Sequence, residues 1–447
     1  MIPLALVLHG TLFLAVAAAV LARQRAALAD PVTLYLIFHG LVFVVRPTMV
    51  HLFGFDDQWR HMRFTPDAAQ FVQTLAVTSL GLLAFAGAAH AVDRPRPEVP
   101  PAAPAPDRAA RQAFAVILAL LLPPALFGAW MDAGIFGSFA GRGEVGVVQD
   151  PRSAHTYFQG TTAYVVKAHN LLIPLAALGV WLARYRWWSF LPLLAVVGYR
   201  AYLGSRWGLV VALAIVLLLY LHDRDRRWPR LAAVAAVVPL LLGFHALGEN
   251  RDALRAALGL GESRPAATAR AWSETWDRGV ERLDTPSFAN FDYLAYVVAV
   301  VPERSRTYSY FTQHLALFTR PIPRVLWPDK PRGPPIQRVD LNAHGWFGTR
   351  TVSLPGDGWR SAGWLGVVLT CGAVGAALSA AYAWYRRHRD RLFPTALYCC
   401  YLPTVALWYR GGELVNAVRF GFWMVLPVLL WWGLAKALAR TRRQAPA

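Results

Sequence analysis

Apolar runs long enough to cross a lipid bilayer recur eleven times in this chain, and nothing constrains its fold more. A helix needs roughly 20 apolar residues to cross about 30 Å of hydrocarbon. Such runs fall near 2–22, 32–50, 69–92, 113–131, 161–183, 187–203, 206–221, 231–248, 361–385, 394–409 and 416–435. Inside a bilayer every backbone polar group must be satisfied within the protein, which leaves helices or closed barrels. Runs of this length select helices, so the expected fold class is an all-α integral membrane protein of about 11 transmembrane helices. Composition agrees, because only 16% of the 447 residues are charged, whereas soluble domains carry about a quarter. An ordinary soluble enzyme is thereby excluded. The first run has the length of a signal peptide but lacks a basic leading region and is followed by ten more, so it reads as a retained helix.

The formal charge of +19 comes from 45 basic residues, of which only Lys167, Lys330 and Lys436 are lysine. With the N-terminus outside, six short inner segments receive twenty of them. These segments are Arg23 and Arg25; Arg94, Arg96, Arg108 and Arg111; Arg184 and Arg186; Arg224, Arg226, Arg227 and Arg230; Arg386, Arg387, Arg389 and Arg391; and Lys436, Arg440, Arg442 and Arg443. The reverse orientation would export them all, against the positive-inside rule. The expectation is a multi-pass protein of the cytoplasmic membrane, N-terminus outside and C-terminus cytoplasmic. Many basic residues placed in short inner loops, rather than on a soluble basic face, also argue against a nucleic-acid partner. Cys371, Cys399 and Cys400 lie in apolar stretches without zinc-type spacing, so neither a disulfide framework nor a metal site is expected.

Three regions follow: residues 1–249 with eight spans and a Pro-rich cytoplasmic linker at 93–112, residues 250–360 as one long extracytoplasmic loop, and residues 361–447 with three spans and a basic tail. A loop of that length is usually functional. Within it, Leu294 to Val301 and Tyr310 to Phe318 read as short helices lying at the interface, and Trp272, Trp276, Trp327 and Trp346 suit that boundary.

The outer ends of the later spans carry Arg206 in GSRWG, Arg360 in GDGWRSAG and Arg410 in WYRGGEL, joined by Arg324 and Lys330 in PIPRVLWPDKP. Together they form a cationic set able to hold phosphate oxygens. Snorkelling to lipid headgroups is the plain alternative for each taken alone. Flanking glycines permit close approach to a ligand or a neighbouring helix. The proline-dense segment can be neither helix nor central strand. Among the acidic and histidine candidates for a proton acceptor, Asp357 directly precedes a span, and His344 is a loop imidazole. Glu413 reads as an ion-pair partner of Arg410, and Trp346 and Trp359 as platforms for sugar rings or as interface anchors. His39, Arg46, Lys167, His169 and Arg200, within or near spans, imply a polar interior.

Four stretches in order resemble the oligosaccharide repeat-unit polymerases of bacterial polysaccharide synthesis, the O-antigen polymerase (Wzy) type. They are GSRWGLV (Gly204 to Val210), PIPRVLWPDKP (Pro321 to Pro331), PGDGWRSAGWLG (Pro355 to Gly366) and WYRGGEL (Trp408 to Leu414). The third departs from the family pattern: Asp357 stands for a glutamate, Trp359 for another aromatic, and Ser361-Ala362 for Asn-Phe. The resemblance implies a GT-C-like membrane fold and a glycosyltransferase that joins undecaprenyl-diphosphate-linked oligosaccharides at the outer face. It implies no cofactor or metal, and membrane lipids, a flippase and a chain-length regulator as partners. Arg206 and Arg410 would then act with Asp357 in catalysis, and Arg324, Lys330, Arg360, His344 and Trp359 in substrate binding. A ligase of related chemistry, supported by His169-Asn170-Leu171, and a transporter of the same lipid-linked sugars remain the alternatives.

Overall fold

The computed structural model describes residues 1–22, 26–92, 107–139, 147–149, 156–158, 163–202, 206–230, 284–286, 288–322, 326–327, 329–331, 333–345 and 351–444. The predicted span at 231–248, most of the Pro-rich linker, Arg324, Trp272, Trp276, Trp346 and the side chain of Arg206 fall outside them.

The described residues are helix, turn and loop apart from one antiparallel ladder, β1 (Val147–Gln149) with β2 (Thr156–Phe158). Helix α1 (Ile2–Ala22) precedes α2 (Pro31–His39), which passes through a π-helical turn (Gly40–Val45) into α3 (Arg46–Phe53). The run near 32–50 is therefore three segments rather than one regular helix. Asp30 caps α2 by accepting from Val32 N at 3.0 Å, with Pro31 in the first turn, where its missing N–H costs nothing. Short α4 (Asp57–Met62), then α5 (Ala68–Val92), α6 (Arg108–Phe139), α7 (Ala163–Lys167), α8 (Leu172–Leu182), α9 (Phe190–Tyr202) and α10 (Arg206–Asp223) follow. Helix α11 (Asn290–Val300), the single turn α12 (Ala316–Thr319), α13 (Leu354–Arg387), α14 (Leu392–Gly411) and α15 (Leu414–Gln444) are the remaining helices among the described residues.

Among the described residues, seven helical stretches are long and apolar enough to cross a membrane: Ile2–Ala22, Pro31–Phe53, Ala68–Val92, Arg108–Asp132, Tyr164–Leu182, Leu354–Arg387 and Leu414–Thr441. Such a set is that of a multi-pass membrane protein. The run near 187–203 forms only the 13 residues of α9.

Small residues bring α5 and α13 together. A Cβ on Gly375 would lie 2.4 Å from the Phe85 carbonyl oxygen, so only glycine permits this approach. Ser379 Oγ donates across the seam to Ala89 O at 3.0 Å. The segment predicted as an interfacial helix from Leu294 behaves otherwise, since all eleven residues of α11 are buried. Its sequence NFDYLAYVVAV is mostly apolar, and its two polar side chains near the start, Asn290 and Asp292, are paired within the protein, so the whole helix is buried. Tyr310 to Phe318 is closer to expectation: a 3-10 turn (Thr312–Leu315) leads into α12, with Phe318 exposed.

The basic loops gather at one end. Arg227 O accepts from Leu28 N at 3.0 Å, Trp228 Nε1 donates to Ala26 O at 2.9 Å, and Arg389 pairs with Asp225 at 2.7 Å. The candidate site lies at the other end.

Candidate functional site

The site grows from a break in α13. Ala362 and Gly363 leave helical geometry, with Gly363 at φ +56°. A break there frees the carbonyls of Arg360 and Ser361 from the partners a regular helix supplies four residues on. Ser309 N and Tyr310 N take them up at 2.9 Å each. The loop so docked turns through two left-handed residues, Tyr310 (φ +47°) and Phe311 (φ +62°), which are strained for large side chains. That turn aims Gln313 and His314 at the first turn of α13. Tyr308 in the same loop lies over Gly363, and burial lifts its phenol above the ordinary value, with Tyr310 and Glu303 adding to the effect. It stays a neutral hydroxyl.

Three donors converge on Asp357, whose side chain is 1% exposed. His314 Nε2 lies 2.7 Å from Oδ2, Arg360 donates to Oδ1 at 2.7 Å, and Gln313 Nε2 donates to Oδ1 at 3.2 Å. A carboxylate only accepts, so the network assigns the imidazole proton to Nε2. Nδ1 is then left with a free lone pair, on a side chain that is 22% exposed. Gln313 also donates to Ser361 Oγ at 2.7 Å, and Ser361 donates to the Asp357 carbonyl at 2.6 Å, which closes the ring. Asp357 is thus fully committed within the protein, whereas His314 presents an unused base.

His314, Asp357 and Arg360 line a cavity of about 200 Å³, together with Arg320, Asn342 and Glu413. Arg320 donates to Asn416 Oδ1 at 3.2 Å. Gln313 Oε1 and Arg360 Nε are buried without a hydrogen-bond partner among the described residues. Buried polar atoms are usually paired, so these two are open to a ligand.

The end of α14 closes one side. Gly412 adopts φ +68° and donates to Trp408 O at 2.8 Å as a left-handed helix stop. A Cβ there would sit 2.1 Å from the Ser353 carbonyl oxygen, and the same carbonyl caps Asp357 N. WYRGGEL therefore packs against the residue that leads into PGDGWRSAGWLG and against Asp357 within it. Gly412→Ala is expected to destabilise the protein by more than the roughly 1–2 kcal/mol of left-handed backbone strain, because Ser353 must also move. Thermal unfolding in detergent checks this, and an unchanged Tm would refute the contact.

The other predicted residues are placed differently. Trp359 is buried and donates to Val301 O at 2.7 Å, so it anchors α13 to the end of α11 rather than offering a face to sugar. Lys330 Nζ ties a loop, donating to Arg320 O at 3.0 Å and Ile322 O at 2.8 Å; it holds the arginine that lines the cavity. His344 accepts through its carbonyl from Tyr296 and does not line the cavity. Arg410 does not line the cavity; its carbonyl accepts from Asn290, and its Nε is buried without a hydrogen-bond partner among the described residues. Glu413 bonds Asn416 instead of Arg410. The sequence analysis does not single out His314, Gln313 or Arg320; the available signal is the amphipathic stretch that holds His314 and Gln313.

A second polar group lies within the helices. Lys167 is 3.6 Å from Asp132, Arg200 is 3.1 Å from His169 Nε2 and donates to Asn170 at 2.8 Å, and Tyr199 donates to Asp132 at 3.4 Å. No protein-family model, curated protein or solved structure matches the chain.

Proposed function

We propose that the protein is a glycosyltransferase of the cytoplasmic membrane that polymerises undecaprenyl-diphosphate-linked oligosaccharide repeat units. One observation carries this reading. Two stretches that resemble the polymerases, about forty residues apart in sequence, meet where Gly412 packs against Asp357 and against the Ser353 carbonyl just before it, around a histidine that is hydrogen-bonded to a buried carboxylate. The proline-dense stretch flanks the same cavity through Lys330 and Arg320.

The chemistry assigned is a single displacement. An acceptor sugar hydroxyl attacks the anomeric carbon of the donor's reducing-end sugar, and the bond from that carbon to the diphosphate oxygen breaks. The electron pair leaves with the diphosphate, and the hydroxyl proton passes to His314 Nδ1. Asp357 acts through His314, holding its tautomer and the charge it gains. Arg320 and Arg360 face the developing diphosphate charge, where a lost donor costs about 2.7–4 kcal/mol. Arg206, Arg324 and Arg410 belong to this cationic set as proposed from sequence. The full reading has about eleven spans, with the basic end cytoplasmic and the cavity outside.

The polar group around Asp132, Lys167, His169 and Arg200 favours a second reading, transport of the same lipid, because ionisable groups within spans often mark a path. Proteoliposomes loaded with undecaprenyl-diphosphate repeat units separate the two. A ladder of lengthened lipid-linked products is expected. Movement between leaflets without lengthening would replace polymerisation with transport, and transfer to a different lipid acceptor would make the protein a ligase.

A further inference from the structure

The basic end of the bundle holds a pocket that the glycosyl-transfer chemistry does not use. It is a cavity of about 460 Å³ between the start of α6 and the turn after α8, lined by Arg111, Phe114, Leu182, Arg184, Arg186 and Trp188. That volume falls within the range of about 300–1,000 Å³ typical of small-molecule sites. We infer that it binds the headgroup of an anionic phospholipid.

The turn is built to hold its arginines in place. Arg184 (φ +59°) and Tyr185 (φ +57°) are consecutive left-handed residues, neither of them glycine. Such strain persists only where surrounding contacts enforce it. Asp223 at the end of α10 does so, accepting from Trp181 Nε1 at 3.0 Å, Tyr185 OH at 3.2 Å and Arg184 at 3.3 Å. Backbone bonds from Ala183, Arg184 and Tyr185 back into α8 complete the clamp. Arg184 is thus partly neutralised by Asp223. Arg111 and Arg186 have no carboxylate within ion-pair distance among the described residues, so the pocket keeps two uncompensated positive charges.

Its walls select a lipid over a soluble anion. Phe114, Leu182 and Trp188 are apolar, and the pocket opens where the candidate spans Arg108–Asp132 and Tyr164–Leu182 begin and end. Trp187 is 79% and Trp188 49% exposed, the placement of residues that anchor at the headgroup level. A phosphate between Arg111 and Arg186, with glycerol and acyl chains running past Phe114 and Leu182, satisfies both halves. Free phosphate would leave the apolar half without use.

Native mass spectrometry of the detergent-purified protein, titrated with phosphatidylglycerol, phosphatidylcholine or inorganic phosphate, tests this. Phosphatidylglycerol is expected to occupy one saturable site, and phosphatidylcholine is not. Arg111→Gln and Arg186→Gln should each weaken binding roughly five-fold, as expected for one basic residue near an anionic surface. Gly179 lines the pocket, and a Cβ there meets nothing within 4 Å, so Gly179→Leu fills the space while every arginine stays. Its Tm should hold while phosphatidylglycerol retention is lost. Equal retention of both lipids, unaltered binding in the three variants, or displacement by inorganic phosphate alone would each overturn the assignment.

Discussion

Replacing His314 with alanine is expected to lower the initial rate of repeat-unit polymerisation by roughly 10²- to 10⁴-fold, the range for a positioned general base, while Tm changes little. The side chain reaches the cavity and its only strong contact is with Asp357, so its removal opens a small solvent-accessible gap. Asp357→Asn should lower the rate to a similar extent by another route. Asparagine can accept from Arg360 or from His314, but it cannot serve both through two oxygens, and the Nε2–H tautomer loses its enforcement. Unlike His314→Ala, it should also lower Tm, because Arg360 loses a buried partner at 2.7 Å. Initial rates in proteoliposomes at matched protein, read beside Tm, check both variants. A His314→Ala protein within about threefold of wild type would remove the base from the mechanism. If Asp357→Asn alone were inactive, Asp357 would itself be the acceptor of the proton.

How much of this was legible in the sequence depends on the distance over which each feature is decided. Hydropathy over twenty residues is a local property, and it located the helices that carry the site. The grouping of basic loops at one end was legible too, since the partition of arginines between alternate loops needs no knowledge of packing. The π-helical turn at Gly40–Val45 was not, because GLVFVV has the same apolar pattern as a regular helix. The run placed at 361–385 starts at Leu354 in the structure. Its polar opening, PGDGWRSA, reads as a loop until its partners from residues 309–314 are known. His314 was out of reach for the same reason: its role depends on a carboxylate 43 positions away, and one histidine beside leucines has no spacing to betray it. Asp357 was legible as a chemical candidate, but its burial beneath His314, Gln313 and Arg360 was not.

Arg46→Met is expected to destabilise the protein strongly, by about 3–5 kcal/mol. Arg46 opens α3 and is buried with its charge, pairing through Nε with Asp292 at 2.8 Å and through NH2 with Asp284 at 2.6 Å. Removing the cation leaves a buried carboxylate at Asp292, and desolvating a lone ion is what makes the loss large. Asp284 is less exposed to that penalty because it also accepts from Asp57 N at 3.0 Å. The double variant Arg46→Met with Asp292→Asn should therefore recover a substantial part of the loss, since no unpaired charge remains at the α11 position. Unfolding in mixed micelles followed by tryptophan fluorescence provides the cycle. A single-variant loss below about 1 kcal/mol, or a double variant no more stable than Arg46→Met, would contradict a buried ion pair. The consequence reaches the site through α11. Asn290, two residues before Asp292, donates to Thr351 Oγ1 at 2.8 Å and to the Arg410 carbonyl at 3.0 Å. Loosening α11 therefore loosens both segments that meet at Ser353 and Gly412, and Arg46→Met should lower the polymerisation rate even though Arg46 does not line the cavity. The double variant should restore rate and stability together, which a direct catalytic role for Arg46 would not allow.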